Sequence, residues 1–292
     1  MKKIYLFLFI AIIASLYNCN NANKQTKIEH LNIPLENFLK DTLSKHKEID
    51  SIPIAEKYFE YNVEGSRLNG ILFSTNDSLQ KPGIIVLGEW WGINYQVKEK
   101  AKDLAKLGFV TVVPDLYDTK NGKSHPSDTK NLAMELYTNT NMLSQRFNVV
   151  LDSLKHFQFV DSTKIGVVGY SFGGSIALMM ANLGTDLDAV AAFHSGLEIP
   201  IMPNKSLKSA ILIFNGDNDS LVSAKSIKIY RSELNKIHAT YKYVTYKQAE
   251  HGFTNKKSDS LGIQYDLPIS YNKEADEKSW KELILFLNKY LH

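Results

Sequence analysis

The sequence predicts an α/β architecture: a mostly parallel central sheet covered by helices on both faces. Two observations carry this. From residue 56 onward, short continuously apolar runs alternate with segments of helical periodicity. In addition, the five residues Gly169-Tyr170-Ser171-Phe172-Gly173 stand between one apolar run and one helix-like run. In sheets of this kind ligands sit beyond the carboxyl ends of the strands, so the loops that follow the apolar runs matter most.

The elements follow in order. Tyr58–Val63 and Leu68–Ser74 are two short strands around a turn at Gly65, a hairpin. Gly83–Leu87 is a buried strand. Val97–Leu107 is a helix stopped by Gly108. Phe109–Val113 is a strand ended by Pro114. Thr129–Tyr137 and Met142–Phe157 are helical, and Ile165–Val168 is the strand before the five-residue motif. Gly174–Asn182 is the helix after it. Ala189–Phe193 and Ala210–Phe214 are buried strands, Ala224–Ile237 a helix, Thr240–Tyr246 a strand and Glu274–Tyr290 a closing amphipathic helix.

The N-terminus reads as a targeting segment. Lys2 and Lys3 precede an apolar stretch of about 14 residues, Ile4–Tyr17, short for a membrane span and right for a signal core. The single cysteine, Cys19, follows at once. Leu16-Tyr17-Asn18-Cys19 resembles a bacterial lipoprotein signal, although Tyr17 and Asn18 are bulkier than the residues usual there. Ordinary cleavage and an uncleaved anchor are the alternatives. The expected organisation is a signal peptide over 1–18, a polar tether over 19–54 with a short helix at 35–46, and a catalytic domain over 55–292. This implies an exported protein of the bacterial cell envelope, held to a membrane by lipid at Cys19. A lone cysteine leaves no internal disulfide and no Cys-based site.

Composition excludes several function classes. Of 292 residues, 44% are hydrophobic and 22% charged, with a formal charge of +3. Without Lys2 and Lys3, 32 basic residues face 31 acidic ones, a balance that gives no nucleic-acid signal. No metal-ligand cluster or phosphate-binding glycine loop is visible, so no metal and no cofactor is expected.

Strand, G-x-S-x-G, helix is the nucleophile elbow of α/β-hydrolases. The tight turn strains the serine backbone and requires very small residues two positions away on either side, here Gly169 and Gly173. It holds the Ser171 hydroxyl beside a helix N-terminus, where an oxyanion is favoured. A serine needs a base, and the base needs a carboxylate, in the chain order Ser, Asp or Glu, His. Asn215-Gly216-Asp217-Asn218-Asp219 follows the Ala210–Phe214 strand. Asp219 is the expected acid. Asp217 is its competitor, with a turn role otherwise. His251, after the Thr240–Tyr246 strand, is the expected base. His194 also ends a strand, but it precedes the acid in the chain and is assigned to the pocket wall or to structure. The oxyanion donors expected are the backbone N–H groups of Phe172 and of Trp90 in the loop Gly88-Glu89-Trp90-Trp91-Gly92. Glu89 and Trp91 are candidate pocket residues.

Together these pieces resemble the dienelactone hydrolase family, over about residues 55–291. Gly88–Asn94, Pro114-Asp115-Leu116-Tyr117, Gly166–Gly174, Gly216–Val222 and His251-Gly252-Phe253 carry the likeness. The resemblance implies cofactor-free hydrolysis of a small ester or lactone through the Ser171–Asp219–His251 triad. Two departures stand out. The best-known members carry cysteine at the position of Ser171, where a glutamate matching Glu89 meets the resting cysteine. Members that take dienelactone hold its carboxylate with arginine, and this chain has only Arg67, Arg146 and Arg231, none within 118–137. A general esterase fits better than dienelactone hydrolysis itself. A carbohydrate deacetylase or peptidase on the same scaffold, and a non-catalytic ligand-binding surface lipoprotein, are the rival readings.

Overall fold

The computed structural model describes residues 52–77, 79–117 and 126–292. The leader, Cys19, the tether before residue 52 and its expected helix lie outside the described residues. Among those described, no helix is long and apolar enough to cross a membrane.

Eight strands form one sheet in the order β1-β2-β4-β3-β5-β6-β7-β8. β1 (Ile54–Val63) and β2 (Ser66–Thr75) make the predicted hairpin, and β2 runs antiparallel to β4 (Val110–Pro114). Glu64 and Gly65 both take positive φ, 48° and 78°, the two-residue turn whose twist suits a hairpin. The other strands are mutually parallel: β3 (Lys81–Leu87), β5 (Val160–Tyr170), β6 (Ala189–Phe193), β7 (Ala210–Gly216) and β8 (Tyr241–Tyr246).

Alternate residues of the buried strands feed two cores. Ile85 and Leu87 point to one, Ile84 and Val86 to the other. The first is closed by α2 (Pro126–Thr138), α3 (Thr140–Lys155), α4 (Phe172–Asn182) and α5 (Ala224–Lys236). The second is closed by α1 (Tyr95–Lys106) and α7 (Lys273–Leu291). α4 is buried almost throughout, which explains its apolar sequence on all sides.

The chain leaves β3 through α1 to reach β4, and leaves β5 through α4 to reach β6 on the opposite side. β3 and β5 are neighbours, so their carboxyl ends flank the point where strand order reverses, where a crevice opens. The Gly88–Gly92 loop and the Ser171 motif both leave from this point.

Two differences from the sequence reading have local causes. β5 begins five residues before Ile165, because Val160 and Asp161 pair with Lys81 and Pro82 before a register shift. The polar residues between are turned by Asp161, whose Oδ1 accepts from the Thr163 amide at 3.0 Å. α6 (Ser258–Tyr265) was not foreseen: it buries only Ser258, so it has no apolar stripe to read.

Candidate active site

Ser171 adopts φ 52° and ψ −114°, outside the regions open to ordinary L-residues. The turn is held by its surroundings. The Ser171 amide donates to the Phe193 carbonyl (2.8 Å), and the Gly173 amide donates to the Gly88 carbonyl (3.1 Å). A Cβ on Gly173 would stand 2.5 Å from the carbonyl oxygens of both Leu87 and Gly88, and one on Gly169 would strike the Gly173 backbone. Both glycines are therefore required by close approach of backbone to backbone.

His251 lies five residues beyond β8 and meets Ser171 across the crevice. Ser171 Oγ is 2.7 Å from His251 Nε2, and His251 Nδ1 is 2.9 Å from Asp219 Oδ2. The other oxygen of Asp219 accepts from the Leu221 amide at 2.9 Å. The competitor, Asp217, faces away and accepts from the Gln248 amide at 2.6 Å, which braces the loop leading to His251.

The glycine-bracketed loop after β3 closes on itself through the Gly92 amide and the Glu89 carbonyl, 3.2 Å apart, with Gly92 at φ 77°. Its link to Gly173 brings Trp90 beside the start of α4. The amides of Trp90 and Phe172 donate to no other backbone carbonyl among the described residues. The rings of Trp90 and Trp91 stack with centroids 4.1 Å apart.

A cleft of about 470 Å³ opens over Ser171 and His251, walled by Trp90, Trp91, Met134, Tyr137, Phe172, Leu221, Leu267 and Ile269. Leu267 and Ile269 come from the excursion around α6, which returns to His251: Ile269 bridges it, and the Ser270 amide donates to its carbonyl at 3.1 Å. Sequence reading had no signal for these two wall residues. It also passed over Lys130, on α2, which lines the cleft. None of the three arginines does. Arg67 pairs with Glu60 on the hairpin, Arg146 donates to the Leu116 carbonyl at 2.6 Å, and Arg231 lies over the Tyr243 ring.

Glu89 lines the cleft but is nearly enclosed, at 5% exposure. Burial pushes its carboxyl pKa up, against the pull of His251, Asn255 and Trp91. Asn255 Nδ2 donates to its Oε2 at 3.0 Å. His194 does not reach the cleft. It is fully buried behind His251, with the two rings edge to face at 5.2 Å. Its φ of 38° breaks the alternation of β6 and turns the side chain inward. Among the described residues no group of three or more His, Cys, Asp or Glu side chains is arranged to hold a metal ion.

Comparison with known proteins agrees with this architecture. Residues 68–291 match the family model described as the dienelactone hydrolase family. "Protein usf" of Aquifex pyrophilus is 26% identical over 215 residues, 72% of this chain and 89% of that protein. A dienelactone hydrolase-like promiscuous phosphotriesterase from metagenomic libraries superposes with a TM-score of 0.74 at 24% identity, covering 82% of this chain and 99% of that one. The dienelactone hydrolase of Anabaena variabilis ATCC 29413 gives 0.56 at 18%, covering 82% and 99%. An acylaminoacyl peptidase of Pyrococcus horikoshii gives 0.63 at 14%, covering 86% of this chain but 44% of that one. At these identities the likeness to solved structures is one of fold. The family match spans most of the chain, and on it the protein is a hydrolase belonging to the dienelactone hydrolase family.

Proposed function

We propose that the protein hydrolyses carboxylic esters or lactones through an acyl-enzyme on Ser171. The carrying observation is the unbroken hydrogen-bonded series Ser171–His251–Asp219 at the floor of an apolar cleft. His251 Nε2 takes the proton of Ser171 as Oγ bonds to the carbonyl carbon. Asp219 orients the ring and balances the imidazolium. The free amides of Trp90 and Phe172 receive the oxyanion. His251 then returns the proton to the leaving oxygen, and water repeats the sequence to release the acid. Aliphatic and aromatic walls favour an apolar acyl group.

The test is intact mass after exposing residues 20–292 to a fluorophosphonate. One adduct on the wild type, missing from Ser171→Ala and His251→Ala, supports the reading. An unlabelled folded wild type rejects it. The leader and Cys19 support export and lipid anchoring of this hydrolase, checked by loss of membrane association in Cys19→Ala.

A further inference from the structure

His194 is a buried imidazole that the mechanism does not use. It follows Phe193 at the end of β6, a strand that contributes no residue to the triad. Phe193 accepts the Ser171 amide at 2.8 Å, so this strand end already holds the nucleophile. His194 turns at once into left-handed backbone, its amide donating to the Phe214 carbonyl at 2.6 Å. That conformation is costly for a residue with a side chain and persists only where surroundings dictate it. Here the surroundings are the loop that carries His251. The Nε2 atom of His194 is 2.9 Å from Thr254 Oγ1, and its ring meets Phe253 edge to face at 5.2 Å, as it does His251.

The bonds to Asp219 and Ser171 hold the two nitrogens of the His251 ring and leave rotation about the line between them free. The edge-to-face contact with the rigid, buried ring of His194 opposes that rotation. Burial, first, and the neighbouring His251 hold the His194 pKa well below its ordinary value, so it is neutral when His251 takes up a proton. The charged groups around it are already paired: Lys100 on α1 with Asp276 (2.8 Å), and His251 with Asp219. On its remaining side stands the uncharged phenol of Tyr170.

We propose that His194 is a positioning residue, the seat on which the His251 loop rests, and that the Phe193–His194 strand end sets the separation of Ser171 from His251. The proposal rests on the reading of Ser171 and His251 as nucleophile and base. It is tested with Thr254→Val, which keeps the shape and deletes the bond to His194, and Thr254→Ser, which keeps the bond. His194→Phe keeps a ring and loses Nε2. Displacements of about 1 Å cost up to about 10²-fold in rate, so Thr254→Val and His194→Phe are expected to lose about tenfold or more in kcat with KM nearly unchanged. Thr254→Ser should recover the wild-type rate.

The second readout is the far-downfield proton resonance of His251 Nδ1–H. It should broaden or vanish in Thr254→Val and persist in Thr254→Ser. Folded Thr254→Val with wild-type kcat and an intact resonance overturns the proposal, as does a loss that serine does not rescue. Should His194→Phe fail to fold, the threonine pair decides. A wild type inert to fluorophosphonate rejects the nucleophile assignment, while the resonance still judges the seat.

Discussion

Ser171→Gly should make a more stable protein than Ser171→Ala, although both lack the Ser171 hydroxyl. Both variants lose the 2.7 Å contact with His251 equally, so their difference isolates the backbone. At φ 52° and ψ −114° alanine keeps the steric conflict of serine, whereas glycine has none. A residue held in such a region costs about 1–3 kcal/mol. Glycine forfeits about 0.5–1 kcal/mol through the greater freedom of the unfolded chain. The balance favours Ser171→Gly by about 1 kcal/mol, or about 2–4 °C in Tm for a body of this size. Urea denaturation of the two variants, read by circular dichroism with a shared slope, measures the difference. Equal midpoints, or a less stable glycine variant, would refute the claim that the elbow stores strain at Ser171.

Gly173→Ala should abolish activity and lower Tm steeply, since its Cβ would meet two backbone carbonyls at 2.5 Å that no rotamer can relieve; steady-state kinetics and a thermal melt read both. Asp219→Asn should lower kcat about 10⁴-fold. Asp217→Asn, whose partner is only a backbone amide, should stay within about tenfold. The stability of the protein should fall as pH drops below about 6.5, where an unfolded histidine protonates but buried His194 does not. In that window the unfolded state binds more protons. The slope reaches about 1.4 kcal/mol per pH unit for this one group, and His194→Phe should flatten it in melts across pH 5–7.

Much of the fold was legible because a parallel sheet buries both faces of its strands. Ala189–Phe193 is read from its apolar residues and observed with the same bounds. The elbow was legible for a related reason: a turn so crowded that only glycine fits at 169 and 173 writes its geometry into the sequence. Asp219 and Asp217 share a loop and a residue type. The spacing Gly216-x-x-Asp219-x-x-Val222 favoured Asp219, and the fold brings His251 to Asp219 and the Gln248 amide to Asp217. α6 carried no pattern, because its role is to return Ile269 to His251 rather than to bury a face.

The sequence by itself determined the alternation of strands and helices, the strained serine turn and the order of the three polar residues. Those properties depend on local sterics and on burial, which each segment carries in its own composition. The tertiary structure alone decided that Leu267, Ile269 and Lys130 join the wall of the cleft, and that His194 lies behind His251 rather than in the cleft. Each of those is a contact between segments tens of residues apart, set by where β3 and β5 part, and no single segment encodes it.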